Sequence, residues 1–182
     1  MKKFNIGFIG SGKMAGAIIK GLLKSEFTTS EYILATQAEI DGIEEKKQAL
    51  GIDIILDNKT LAQKSDIIFI ATKPNQVVDV LSEISEIIDS EKLIVSIAAG
   101  VKIEKIEANL PPNSRVIRVM PNTPALVGEG MSGMVGGKFA TEDDLKYIYE
   151  LLYPKRFRGG KPTSRKYTTG KSGAGGAFTE FK

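Results

Sequence analysis

The amino-acid sequence predicts an α/β protein built on a doubly wound, mostly parallel sheet. Three observations carry that expectation. Short apolar runs of strand length alternate along the chain with amphipathic stretches of helical spacing. Two of these runs, Ile67-Ile68-Phe69-Ile70-Ala71 and Leu93-Ile94-Val95-Ser96-Ile97, are almost unbroken, as strands covered by helices on both faces are. The first run of the chain opens through a glycine-rich turn directly onto a helical pattern, the start of a βα unit.

Taken in order, Phe4 to Ile9 reads as the first strand and Ala15 to Leu23 as the first helix. Tyr32-Ile33-Leu34-Ala35 is a short second strand. Ile40 to Leu50 reads as a helix closed by Gly51, a residue suited to the left-handed position past a helix end. Ile52 to Leu56 and Ile67 to Ala71 are the next strands. Pro74, with its fixed φ, starts a helix that carries Val77, Val80, Leu81, Ile84 and Ile88 at spacings of three and four. After the strand at Leu93 to Ile97, Ala98-Ala99-Gly100 turns the chain into a helix ending near Leu110. Arg115 to Met120 is a further strand. Thr141 with Asp144 has the spacing of a capping box, and Leu145, Ile148, Leu151 and Leu152 form the apolar face of a last helix.

The turn Gly10-Ser11-Gly12-Lys13-Met14-Ala15 has the Gly-x-Gly-x-x-Ala spacing that a dinucleotide fingerprint requires in this strand-turn-helix context. Gly10 permits the tight turn, Gly12 lets a pyrophosphate approach the backbone, and Ala15 lets helix and strand pack closely. The helix N-terminus then turns its unpaired N–H groups toward the phosphates. The expected fold is therefore Rossmann-type, with its ligand beyond the carboxyl ends of the strands. Three further loops share that edge. Thr36-Gln37 holds no Asp or Glu before Glu39 to bind a ribose 2′-hydroxyl, which favours NADP(H) and leaves NAD(H) as the alternative. Ala71-Thr72-Lys73-Pro74 suits contact with ribose or pyrophosphate. Ser96 to Gly100 is made of small residues against which a nicotinamide ring fits. Beyond them, Pro121 and Pro124 stiffen a turn whose Asn122 and Thr123 would lie at the substrate edge.

Composition narrows the chemistry. Hydrophobic residues make up 42% and charged residues 26%, ordinary for a soluble globular domain. With no histidine and no cysteine, histidine bases, thiolate nucleophiles, disulfides and the usual zinc sites are excluded. Proton transfer must use another donor or water, or the reactive atom belongs to a cofactor. No metal is expected. The lack of cysteine and of a leader-like apolar stretch after Met1-Lys2-Lys3 suits a cytoplasmic protein, and no apolar run is long enough to span a membrane. The net charge of +3 is unevenly spread: residues 154–182 hold eight Lys or Arg and one acid, leaving 17 basic and 21 acidic groups in residues 1–153. That last segment also has six glycines and no Leu, Ile, Val or Met, so it is expected to be a disordered basic tail after a dinucleotide-binding domain at 1–153. A nucleic-acid-binding tail, with Phe157 and Tyr167 for stacking, is the lesser alternative. Gly170-Lys171-Ser172 is no P-loop, because position 165 is Arg where that motif needs Gly.

Four segments together, Gly7 to Met14, Ala71 to Pro74, Ser96 to Val101 and Arg115 to Pro124, resemble pyrroline-5-carboxylate reductase in order and spacing. The resemblance covers about residues 3–153. It implies reduction of the cyclic imine 1-pyrroline-5-carboxylate to L-proline, the last step of proline biosynthesis, with NAD(P)H as hydride donor. It implies cofactor contacts at Ile9, Gly10, Ser11, Gly12, Lys13, Met14, Gln37, Asn58, Ala71, Thr72, Lys73, Pro74, Ala98, Ala99 and Gly100. The resembled family continues into an all-helical domain that forms a homo-oligomer and much of the substrate pocket, and that domain has no counterpart here. Gly170 to Phe178 falls where the family has a Gly-x-Ser-Gly-Ser-Gly-Pro-Ala motif, with Gly176 in place of the proline, so the tail resembles a truncated or frame-disrupted end. The alternatives are a non-catalytic dinucleotide-binding module and a related β-hydroxyacid or prephenate-type dehydrogenase.

Overall fold

A computed structural model describes residues 3–120 and 133–153. Seven strands among them, β1 (Ile6–Ile9), β2 (Ile33–Thr36), β3 (Asp53–Ile55), β4 (Ile67–Ile70), β5 (Leu93–Ser96), β6 (Arg115–Met120) and β7 (Gly133–Gly136), form one sheet. Their order is β3-β2-β1-β4-β5-β6-β7. All neighbours run parallel except β7, which lies antiparallel on β6 with Arg118 opposite Val135. The chain works outward from β1 to β3, then returns to lay β4 against the other side of β1. The order reverses there, and a crevice opens between the carboxyl ends of β1 and β4.

Alternate residues of the central strands build two apolar layers. Ile6 and Phe8 of β1, Phe69 of β4 and Val95 of β5 join one layer, with the Phe8 and Phe69 rings stacked 4.7 Å apart. The helices α1 (Lys13–Lys24) and α6 (Glu142–Leu152) cover it through Ile18, Ile19, Leu22, Leu145, Ile148 and Leu151. Ile9, Ile68, Ile70 and Ile94 face the other way, against α3 (Asn58–Lys64), α4 (Val77–Ile84) and α5 (Ile103–Glu107). Burial on both faces is why β4 and β5 are apolar without alternation.

The structure adds an α-helix and a strand to those expected from the sequence. Helix α3 is only seven residues long, capped by Asp57, whose carboxylate accepts from the Thr60 N–H at 2.8 Å, and it buries just Leu61 and Ala62. It sits so close to β1 that a Cβ on Gly7 would stand 2.4 Å from Ser65 Oγ and 2.5 Å from Leu61 Cδ2. A glycine inside a strand marks such an approach, and Gly7 was the available sign of this helix. Strand β7 pairs only with residues before the 121–132 segment, so no local pattern announces it.

One boundary moves. The helix expected from Ile40 begins at Ile43, as α2 (Ile43–Leu50). Gln37 Nε2 donates to the carbonyls of Glu39 and Asp41 at 2.6 and 2.7 Å, and so occupies acceptors an earlier helix start would use. Gly42 at φ +70° then breaks the helical path, while Gly51 closes α2 in the left-handed region as expected. Helix α5 stops at Glu107, and tighter turn bonds carry the chain on to Leu110.

The expected capping box at Thr141 and Asp144 is present, and Asp144 has a second role. Its Oδ1 receives Arg115 Nη1 at 2.7 Å, while Arg115 also donates to the carbonyls of Ser90 and Glu91. One largely buried carboxylate therefore completes the capping box of α6, accepting from the Thr141 N–H at 2.9 Å, and ties the helix to the sheet. Replacing Asp144 by Ala removes this half of the box, though not the Thr141 cap itself, and leaves the Arg115 guanidinium part-buried without its carboxylate partner. The expected loss is about 2–3 kcal/mol, read as a fall in the urea midpoint at unchanged slope; a loss below about 0.5 kcal/mol, the range of ordinary surface substitutions, would contradict this account. Tyr147 of α6 lies against the edges of Phe4 and Phe27. Burial, then the charges of Glu150 and Asp66, raise its phenol to about 12. The folded state thus holds this proton more tightly than the unfolded chain. Its contribution to stability is complete below pH 10 and is lost as pH rises toward 12. Tyr147→Phe is expected to flatten the alkaline decline in that window relative to wild type.

Candidate functional site

The crevice is built on backbone geometry. Gly10 has φ +99°, and a Cβ there would meet the Ala71 carbonyl oxygen at 2.8 Å. The Ala71 N–H donates to the Ile9 carbonyl at 2.9 Å, so the turns after β1 and β4 are locked side by side. Ile9 itself contributes backbone only, since its side chain is buried in the apolar layer below. Gly12 is the N-cap of α1, carries no capping side chain, and is exposed. A Cβ built there meets nothing within 4 Å. The first turn of α1 holds no acidic residue. An uncapped, open helix N-terminus without negative side chains is what a pyrophosphate needs. Lys13 is exposed beside it, and Met14 is part-buried against the core.

On the side of the loop after β2 the crevice is lined by hydrogen-bonded residues. Ser11 Oγ donates to Gln37 Oε1 at 3.4 Å, which joins the glycine turn to the loop after β2. The Gly10 N–H donates to Thr36 Oγ1 at 3.3 Å, and the Thr36 hydroxyl donates to Asn58 Oδ1 at 2.7 Å. Asn58 Nδ2 in turn donates to Glu83 Oε2 of α4 at 2.8 Å. Sequence reasoning singled out the Thr36-Gln37 loop and Asn58 but gave the Thr36 hydroxyl no role and missed Glu83. A threonine closing the second strand beside a glycine turn was a usable sign for the first. Nothing local pointed to Glu83, which arrives from 25 residues beyond Asn58.

After β4, Thr72 Oγ1 is buried with no hydrogen-bond partner among the described residues. An orphaned hydroxyl beside the crevice fits a ligand group. Lys73 and Pro74 are exposed where the short turn Pro74–Gln76 begins. After β5, Ala98 is buried with its N–H on Ser96 Oγ at 3.4 Å, while Ala99 and Gly100 are exposed and Gly100 has φ +74°. All fifteen expected cofactor positions thus lie on or beside the carboxyl edge of β1 to β5. Asn122 and Thr123, like the tail 154–182, lie outside the described residues. No helix among the described residues is long and apolar enough to cross a membrane.

A glycine turn opening a bare helix N-terminus at the reversal of strand order defines a Rossmann-type dinucleotide-binding domain. The model of the family described as "NADP oxidoreductase coenzyme F420-dependent" matches residues 5–100, and the chain belongs to that family. It is also 40% identical over 179 residues to the pyrroline-5-carboxylate reductase of Methanosarcina acetivorans, an alignment covering 98% of this chain and 66% of that protein. Among solved structures, the pyrroline-5-carboxylate reductase of Coxiella burnetii superposes with a TM-score of 0.77 at 30% identity, covering 84% of this chain and 56% of that one. The Plasmodium falciparum pyrroline carboxylate reductase, solved with NADP bound, superposes at 0.73 with 29% identity, covering 84% and 55%. The chain thus spans between half and two thirds of the length of these relatives. A prephenate dehydrogenase shares the fold at 15% identity, a likeness of fold alone.

Because the Gly12 position is sterically open and uncapped, Gly12→Asp separates folding from binding. Asp is a good N-cap, so the variant is expected to keep or slightly raise thermal stability. Its carboxylate stands where the pyrophosphate would lie, so dinucleotide affinity is expected to fall at least a hundredfold, about 2.7 kcal/mol. Titration calorimetry on the folded variant checks this, and unchanged affinity would remove the glycine turn from the cofactor site.

Proposed function

We propose that this chain is the dinucleotide-binding, hydride-donor part of a pyrroline-5-carboxylate reductase. The open, uncapped N-terminus of α1 at Gly12, beside a Gly10 turn packed on Ala71, carries this reading. Its likeness to reductases at 40% identity supplies the substrate class. The cofactor in this reading is NADP(H), with NAD(H) as the alternative, and the substrate is the cyclic imine 1-pyrroline-5-carboxylate. The bound cofactor supplies a hydride to the imine carbon. A proton on the imine nitrogen completes L-proline, and with no histidine or cysteine in the chain it comes from another donor or from water.

The protein's work here is positioning. The N–H groups of α1 face the pyrophosphate. Thr72 Oγ1 gains the partner it lacks. Ala99 and Gly100 let the nicotinamide lie close to backbone, and Asn122 and Thr123 belong to the substrate edge. A chain without cysteine suits the reducing cytoplasm, where this reading places it. Nucleic acid has no part in the reading. In solution the test is direct: NADPH binding by calorimetry, beside imine-dependent NADPH oxidation by the same preparation. Binding with turnover supports the reductase. Binding without turnover leaves a dinucleotide-binding module and overturns the catalytic reading for this chain.

The loop after β2 offers no carboxylate before Glu39, so no negative charge stands where a ribose 2′-phosphate would approach. NADPH is accordingly expected to bind at least as tightly as NADH. A tenfold preference for NADH, about 1.4 kcal/mol, would contradict that.

A further inference from the structure

We propose that Glu83, near the end of α4, is a positioning residue for dinucleotide binding. It acts through Asn58 and Thr36 on the Gly10 amide, and the inference rests on the dinucleotide reading above. Four residues on four separate elements stand in one hydrogen-bonded line: Glu83 on α4, Asn58 at the start of α3, Thr36 at the end of β2, and Gly10 in the turn after β1. Successive contacts measure 2.8, 2.7 and 3.3 Å.

The direction of each bond follows from the first. A carboxylate only accepts, so Glu83 fixes the Asn58 amide with its NH2 toward α4 and its oxygen toward β2. That oxygen takes the Thr36 hydroxyl proton, because Asn58 Oδ1 can only accept. The Thr36 oxygen is then left with its lone pairs toward Gly10, where it accepts the backbone N–H. Without Glu83 the Asn58 amide is free to turn over and present its NH2 to Thr36, which occupies one of the two lone pairs of that oxygen, sends its proton elsewhere and loosens the geometry at the Gly10 N–H. On its other side Gly10 faces the Ala71 carbonyl, close enough that a Cβ would meet that oxygen at 2.8 Å. The glycine turn is therefore clamped between Ala71 and Thr36, and the second jaw is held shut from α4. Two neighbouring contacts keep the line stiff. Asp57 caps α3 and so fixes the backbone of Asn58, and Ser11 is held by Gln37. Asn58 is accordingly assigned an orienting role whether or not one of its N–H hydrogens also meets the ligand.

The test compares four variants by NADPH titration and thermal melting of the purified chain. Glu83→Ala is expected to weaken NADPH binding about tenfold, roughly 1.4 kcal/mol, with little change in melting temperature. Glu83→Gln, which still offers an oxygen to Asn58, is expected to stay within threefold of wild type. Thr36→Val, of similar shape, is expected to weaken binding at least as much as Glu83→Ala. The double variant Glu83→Ala/Thr36→Val is expected to be no weaker than Thr36→Val alone, since both act on the same bond to Gly10. Full additivity in the double variant overturns the relay, as does unchanged affinity in Glu83→Ala. A loss in Glu83→Gln equal to that in Glu83→Ala also overturns it, by making the charge alone responsible. A wild-type chain that binds no dinucleotide overturns the underlying reading and the relay together, whereas wild-type binding with an unaffected Glu83→Ala overturns the relay only.

Discussion

The structure depends on one backbone contact, the close approach of Gly10 to Ala71. A side chain on Gly10 would collide with the Ala71 carbonyl, which is backbone and cannot swing aside. The same pair of turns is joined by the Ala71 N–H on the Ile9 carbonyl. This contact sets β4 against β1 and so makes the strand order reverse where it does. The crevice, the exposed end of α1 and the loops around it all inherit their positions from that reversal.

Around the contact, the protein solves a packing problem on both faces of the sheet. Helices must lie close enough to bury β1 and β4, yet leave the carboxyl edge open. On one face the stacked Phe8 and Phe69 rings fill the space under α1 and α6. On the other, Gly7 removes a side chain so that α3 can press on β1, and this short helix then delivers Asn58 to the crevice. The close packing at Gly7 is thus linked to the polar line that reaches Gly10. Lys92 helps to hold the arrangement from the opposite end, donating to the Ser65 carbonyl past the end of α3 at 2.8 Å.

The chain carries neither histidine nor cysteine, and among the described residues the two shifted ionisations belong to structural groups. Asp57 is lowered by its hydrogen bonds to Thr60 at a helix cap, and Tyr147 is raised by burial within an aromatic cluster. What the crevice offers is orientation: backbone N–H groups, an orphaned hydroxyl at Thr72, and small residues at Ala99 and Gly100. That inventory suits a protein that holds a reactive cofactor in place, since the hydride chemistry then belongs to the cofactor and the protein supplies geometry.

By itself the sequence determined the fold class, the glycine turn and most of the strands. These are encoded locally: continuous apolar runs mean strands buried on both faces, and glycines at fixed offsets mean a turn that only glycine makes without strain. The capping box at Thr141 and the close of α2 at Gly51 were legible for the same reason. The tertiary structure alone decided what depends on distant partners. Helix α3 is too short to show a period and forms because β1 leaves room for it. Strand β7 exists only through its pairing with β6. The start of α2 moved because Gln37 captures carbonyls that a helix would have used. Glu83 and Thr36 acquired their roles from a line of hydrogen bonds that no stretch of sequence contains. Local patterns state which way a residue faces, and only the packed chain states what it meets there.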